Sequence, residues 1–205
     1  MGSSLFVYHN KKRLKMSHNF LQNSNFHFFL DSIDQDLAKQ AQQKGCPECG
    51  HKLHQANYPR SPVGIFTQLR DHYNERLSFC CDTCRKRLTP PSVKFFGRRW
   101  YPAPLFIFIS ALMRKITEHS LTQIRRHFGI SVSESTWKRW QRWWRDSFIE
   151  TLFWKQTKGI VPGILEINRS FPRALLGIFP GSLEEKICFL LRFLSPLSCP
   201  ILQAI

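Results

Sequence analysis

CPECGHKLH runs from Cys46 to His54, and CDTC runs from Cys81 to Cys84. Two Cys-x-x-Cys hooks therefore lie in one chain, with 31 residues between Cys49 and Cys81. In such a turn both sulfurs face one point, and backbone N–H groups after the first Cys can hydrogen-bond to them. Two turns supply four thiolates, the tetrahedral set that structural zinc favours. The predicted ligands are Cys46, Cys49, Cys81 and Cys84, holding one structural Zn²⁺. A four-sulfur site is coordinatively closed, so its role is architectural rather than catalytic. Pro47 stiffens the first hook, and Gly50 permits a tight backbone after it.

Other ligand sets share part of this pattern. Cys80 fits a Cys-x-x-x-Cys spacing in place of Cys81, and His51 or His54 can stand in for one Cys. The two-residue spacing favours Cys81, and the default for both histidines is a surface or strand position. A redox dithiol explains one pair but not two. Cys188 and Cys199 lie far off, one as a small core residue and one as a terminal thiol. Seven cysteines, an odd count with two metal-spaced pairs, fit a reducing cytosol better than a disulfide framework.

The charge narrows the partner. The 205 residues carry 30 Lys and Arg against 14 Asp and Glu, a net +16. Between Arg85 and Arg145, fourteen basic residues face only Glu118 and Glu134, so +12 of the total sits there. Such a stretch suits a polyanion, nucleic acid before an anionic membrane surface. The most apolar run, Leu105–Met113, is too short to span a bilayer, and no secretory signal is expected near Met1 or the second candidate start, Met16.

The pattern predicts an α+β chain in four parts: a small β-rich zinc ribbon, then an all-helical helix-turn-helix module and a short helical tail. Residues 1–44 read as a flexible N-terminus, unordered to about 29, with one short helix. Asp31 or Ser32 caps that helix, Leu30, Ile33, Leu37 and Ala41 line its apolar stripe, and Gly45 stops it. Residues 45–101 read as the ribbon, with Leu77 and Phe79 on one strand face and a break at TPPS, Thr89–Ser92. Residues 102–158 read as the DNA-binding module and 159–205 as the tail, which holds a loop over Gly159–Asn168. In the tail one helix starts near Pro172, and another starts with a Ser182–Glu185 capping box.

The module's reader is SLTQIRRHFGISVSESTWKRWQRWWRD, Ser120–Asp146. Ser120 caps one helix, whose inner face is Leu121, Ile124 and Phe128, and Gly129 ends it. Ser133 or Ser135 caps the next. There Trp137, Trp140, Trp144 and Phe148 form one stripe, while Lys138, Arg142 and Arg145 form another. A helix packed by one stripe and cationic on the other has the layout of a recognition helix. Arg and Lys neutralise phosphates, and Arg can bond bidentately to guanine. The expected DNA contacts are Arg125, Arg126, Lys138, Arg139, Arg142 and Arg145, with Lys94, Arg98 and Arg99 beside the metal. The tryptophans read as core; Trp143, off the stripe, is the candidate for base stacking.

These pieces in this order resemble transposable-element-associated bacterial zinc-ribbon/helix-turn-helix proteins and the DNA-binding regions of some insertion-sequence transposases. The resemblance rests on Cys-Pro-x-Cys-Gly, FCC, LTPPSVKFFGRRWY, FGIS…STWKRWQRWW, FW at Phe153–Trp154 and LLRFLSPL, over roughly residues 45–197. It implies a ribbon on the four cysteines and DNA contact from Trp137–Arg145, with two extra residues before Thr136. The expected partners are double-stranded DNA, a separate recombinase and, for a transcriptional regulator, a second copy through the 172–194 helices, with the protein in the cytoplasm at the nucleoid. No catalysis is expected, because a transposase nuclease needs an acidic metal-binding triad on a fold of its own. A transcriptional regulator and an RNA-binding ribbon protein are the alternatives.

Overall fold

The structure is a computed structural model that describes residues 19–96, 101–112, 117–128, 132–161 and 171–199. Its organising element is helix α1 (Ser24–Gln43). Asn23 is extended and its side chain accepts the Asn25 N–H at 3.0 Å, which caps the helix. The cap is thus Asn23 and not Asp31 or Ser32, and the ordered chain starts well before residue 29. The flexible start expected for residues 1–18 lies outside the described residues. Phe26, Leu30, Asp34 and Ala38 recur every four residues as the buried line, while Ile33, Leu37 and Ala41 are only half-buried. Lys44 caps the end, and Gly45 follows at φ +75°, as a C-terminal glycine should.

Two apolar clusters share this helix. Ala38, near its end, packs with Cys46, Leu53, Phe79 and Cys81, against which Leu77 and Leu88 also lie. Above this small cluster runs an antiparallel sheet in the order β1 (Leu53–Gln55), β4 (Phe79–Cys81), β5 (Arg87–Leu88), with Leu53 opposite Cys81 and Phe79 opposite Leu88. A second, two-stranded sheet pairs β2 (Tyr58–Pro59) with β3 (Glu75–Arg76). A 3-10 helix, Thr67–Tyr73, lies between them in sequence and packs on α1. Phe26 and Leu30, at the start of α1, belong to the larger cluster.

That larger cluster centres on α2 (Ala103–Leu112). Leu105, Phe106, Ile107, Phe108, Ile109 and Ala111 are all buried, as a helix apolar on every side must be. Each of these side chains larger than Ala111 contributes roughly 1.5–3 kcal/mol by leaving water. Around α2 pack α4 (Glu134–Arg142), α6 (Arg173–Ile178) and α7 (Leu183–Leu194). Helix α3 (Glu118–Phe128) adds Ile124, and α5 (Leu152–Thr157) adds Phe153 and Trp154. Its start at Glu118 moves the expected cap away from Ser120. The capping box is present, with Ser182 and Glu185 each bonded to the other's backbone N–H.

This core runs from Phe20 to Leu197 without a break at residue 158 or 159. The tail completes the helical core instead of trailing from it. It also reaches the segment after β5, where Ser198 Oγ accepts the Ser92 N–H at 2.8 Å and Cys199 Sγ donates to the Thr89 carbonyl at 3.5 Å. The loop expected over Gly159–Asn168 begins as a 3-10 turn, Lys158–Ile160; residues 162–170 lie outside the described residues, as does the turn at 129–131. No helix among the described residues is long and apolar enough to cross a membrane.

Charged groups fasten α1 to the segment after TPPS. Asp34 is buried and accepts the Val93 N–H at 2.6 Å and the Ser92 hydroxyl at 2.5 Å. Burial pushes its carboxyl above the usual range, against these bonds, which pull it down. Asp31 bonds His72 and takes the Lys94 ammonium at 2.6 Å, and Lys94 also donates to the His72 carbonyl at 2.6 Å. Arg76 is buried as well, donating to the Pro90 carbonyl with its guanidinium 5.8 Å from the Phe95 ring centre.

Candidate metal centre

Cys46 and Cys49 come from the turn after α1, and Cys81 and Cys84 from β4 and the turn after it. The two turns are built alike. In the first, the Cys46 N–H donates to the His51 carbonyl at 2.9 Å; in the second, the Cys81 N–H donates to the Lys86 carbonyl at 3.0 Å. The residue after the second cysteine of each hook is left-handed, Gly50 at φ +73° and Arg85 at φ +58°. The next residue then aims its N–H at that cysteine's sulfur: His51 at Cys49 and Lys86 at Cys84. Gly45 is required for a different reason. A Cβ there would stand 2.8 Å from the Gly50 carbonyl oxygen, besides the positive φ.

The four sulfurs lie within 4.8 Å of one another. Cys46 Sγ is 3.5 Å from Cys84 Sγ, and Cys49 Sγ is 3.4 Å from Cys81 Sγ. Neither pair is a disulfide, which needs about 2.05 Å. A regular tetrahedron of sulfurs around one ion at about 2.3 Å has edges of about 3.8 Å, close to these spacings. The set therefore fits a single metal ion. The Lys86 N–H favours a thiolate at Cys84, yet burial and hydrogen bonds with the other three sulfurs leave this thiol at about 12. Cys49 goes the other way, lowered chiefly by the His51 N–H.

Position favours the four cysteines over the alternative ligands, although the His51 side chain also bonds the Cys49 sulfur. Cys80 faces away from the cluster, its Sγ donating to the Arg85 carbonyl at 3.5 Å. His51 donates to the Cys49 carbonyl at 2.9 Å, and His54 faces Asp82 at 3.6 Å. The cluster holds four cysteines and no histidine. A Glu48–Lys86 ion pair at 2.7 Å joins one hook to the other.

The expected nucleic-acid residues divide into three groups. Lys94 is buried in its contacts with Asp31 and His72, so it is no surface cation and phosphate contact from it is ruled out. Its neighbours Phe95 and Phe96 are buried too, whereas Arg85, Lys86 and Arg87 at the second hook are exposed. Arg98 and Arg99 lie outside the described residues. Arg125, Arg126, Lys138, Arg139, Arg142 and Arg145 are all exposed. The last four ride on or just after α4, whose Ser133 cap accepts the Thr136 N–H at 3.1 Å.

Trp140, Trp144 and Phe148 bury the opposite face of that helix. A π-helical turn, Trp143–Ser147, follows α4, closed by the Phe148 N–H on the Trp143 carbonyl. The wider turn lets Trp143 join the core, edge-on to Phe96 at 5.4 Å and to Trp144 at 4.8 Å. That packing takes Trp143 out of the base-stacking role its sequence position suggested. Compared with known protein families, curated proteins and solved structures, the chain matches none.

Proposed function

We propose that this chain is a zinc-dependent DNA-binding protein in which the four-cysteine centre is structural and α4 reads the duplex. The observation that carries the reading is the division of α4 into two faces. Thr136, Trp140 and Trp144 hold one face in the core, and Lys138, Arg139, Arg142 and Arg145 stand on the other. Arg125 and Arg126 on α3 add cationic surface from the preceding helix. With α3 before it and a short connection between, α4 takes the recognition position of a helix-turn-helix. Zinc is the metal that an all-thiolate, closed tetrahedral set selects.

The ion pairs on this face do not oppose binding. Lys138 bonds Glu134 at 2.8 Å and Arg145 bonds Asp146 at 2.7 Å, in exposed positions. Such pairs are worth at most about 1 kcal/mol, so a phosphate displaces the carboxylate at little cost. The resemblance to transposable-element proteins makes the ends of such elements the first duplexes to try, with a separate recombinase doing the chemistry.

The test is anisotropy of labelled duplex DNA and of RNA of the same sequence, across a salt series. Tighter binding to DNA with a steep fall in affinity as salt rises is expected. Equal or tighter binding to RNA, or a flat salt response, overturns the DNA reading.

A further inference from the structure

The cations on α4 are not equivalent. Lys138 and Arg145 are held by carboxylates, whereas Arg139 is held by a neutral, buried hydroxyl. Its Nη2 donates to Thr136 Oγ1 at 3.1 Å. Thr136 is 8% exposed and sits one turn before Arg139, in the first turn of the helix. Its Oγ1 also accepts from Ser133 Oγ at 2.9 Å, and Ser133 Oγ lies 2.9 Å from Ser135 Oγ. A chain of hydroxyls thus runs from the helix cap to one guanidinium. The Thr136 anchor comes from the buried face, while the Arg139 side chain itself is exposed.

This arrangement does what a base-reading arginine needs. An Arg bonding guanine O6 and N7 must present its plane in one orientation, and an unrestrained side chain loses rotamer freedom when it binds. A phosphate contact has no such demand, because the charge alone suffices. Thr136 takes up one of the five N–H donors of Arg139 and leaves the fork available. The place is also right, since a recognition helix meets base edges with its N-terminal residues. By contrast, Lys138 has no planar fork, and Arg145 lies beyond α4 in the π turn.

Resting on the DNA-binding reading above, we infer that Arg139 is the specificity-determining residue of α4, that Thr136 is its positioning residue, and that guanine is the base it selects. Lys138, Arg142 and Arg145 then contact phosphate without regard to sequence.

The experiment selects bound duplexes from a pool with a randomised core, using wild type, Thr136→Val and Arg139→Lys at one salt concentration. Affinities for the selected duplex and a shuffled one follow, each over a salt series. Wild type should enrich a site containing a required G·C pair. Both variants should lose about tenfold in the ratio of selected to shuffled affinity while keeping the wild-type salt slope. Arg139 is exposed, so Arg139→Lys keeps the test valid even if the buried Thr136→Val change disturbs folding. Retention of the wild-type ratio by Arg139→Lys overturns the inference and leaves DNA binding standing. Wild-type binding with no sequence preference does the same. Absence of any duplex binding by wild type overturns both.

Discussion

Cys49 and Cys81 belong to different hooks, yet their Sγ atoms stand 3.4 Å apart. Sequence separation alone gives no reason for this. The reason is that each hook repeats the same turn, and β1 and β4 set Leu53 opposite Cys81. The strands are too short to hold a sheet unaided, and the small cluster beneath them contains few apolar side chains apart from the cysteines. A metal ion held by the four sulfurs would then be the main support of the 46–88 region, as in other small metal-built domains.

The turns themselves make the first prediction. Gly45→Ala should cost about 1–3 kcal/mol in urea unfolding of the metal-loaded protein, because strain at positive φ and a close carbonyl combine. Gly50→Ala has the same handedness but open space around it, and should cost about 1 kcal/mol. Arg85→Gly should hold or raise stability, since it relieves a left-handed non-glycine. Equal losses for the two glycine variants would show that the Gly50 carbonyl does not crowd position 45.

Asp34 should be more sensitive than its place in a helix stripe suggests. Asp34→Ala leaves the Val93 N–H and the Ser92 hydroxyl facing apolar space. A loss of at least about 2 kcal/mol is expected by urea unfolding. A change within about 0.5 kcal/mol would mean that this junction is wet.

The case of Asp34 shows what the sequence could and could not tell. Local signals were readable: the Cys-x-x-Cys spacing, the stop at Gly45, the caps at Ser133 and Ser182, and the nearly all-apolar Leu105–Leu112. The buried charges were not. Asp34, Arg76 and Lys94 read as surface residues until their partners, Val93, the Pro90 carbonyl and Asp31, arrive from distant parts of the chain. The tail reads as an appendage for a related reason: the apolar stripe Ile187, Leu190, Leu191 and Leu194 is legible, but nothing local names α2 as its partner. Trp143 reads as off the stripe, and only its ring contacts with Phe96, Phe106 and Trp144 reveal that it packs on the core, half-buried.

His27 should give the protein a component of acid sensitivity. Its Nε2 lies 2.9 Å from the Leu21 carbonyl, so this nitrogen carries the hydrogen, and Nδ1 accepts from the Tyr73 hydroxyl at 2.8 Å. Burial lowers its pKa from the ordinary 6.5, outweighing the Leu21 carbonyl, which raises it; His72, Asp31 and Lys94 also act on it. A lowered folded-state pKa gives stability that is complete above the ordinary value and is lost as pH falls through the folded one. Unfolding free energies of wild type and His27→Gln should therefore converge from pH ~7 to ~5. Taking the difference between the two proteins cancels acid release of the metal. Parallel curves would show that His27 does not titrate on unfolding.

Arg142→Ala should weaken duplex binding by about 1–3 kcal/mol and lower the salt slope by about one, with helix content by circular dichroism unchanged. Lys94→Met, in folded protein, should leave that slope unchanged, because its ammonium is committed to Asp31. Collapse of the helix signal in Arg142→Ala would make Arg142 a packing residue.

The two like turns should gather their four thiolates on one ion. Metal analysis combined with X-ray absorption at the zinc edge, on protein purified under reducing conditions, tests this most directly. One zinc per chain with four sulfur neighbours at about 2.3 Å is expected, lost in Cys49→Ser together with the order of the 46–88 region, and retained in Cys80→Ser. Folded wild type that carries no metal, or zinc with nitrogen or oxygen in its shell, would contradict it.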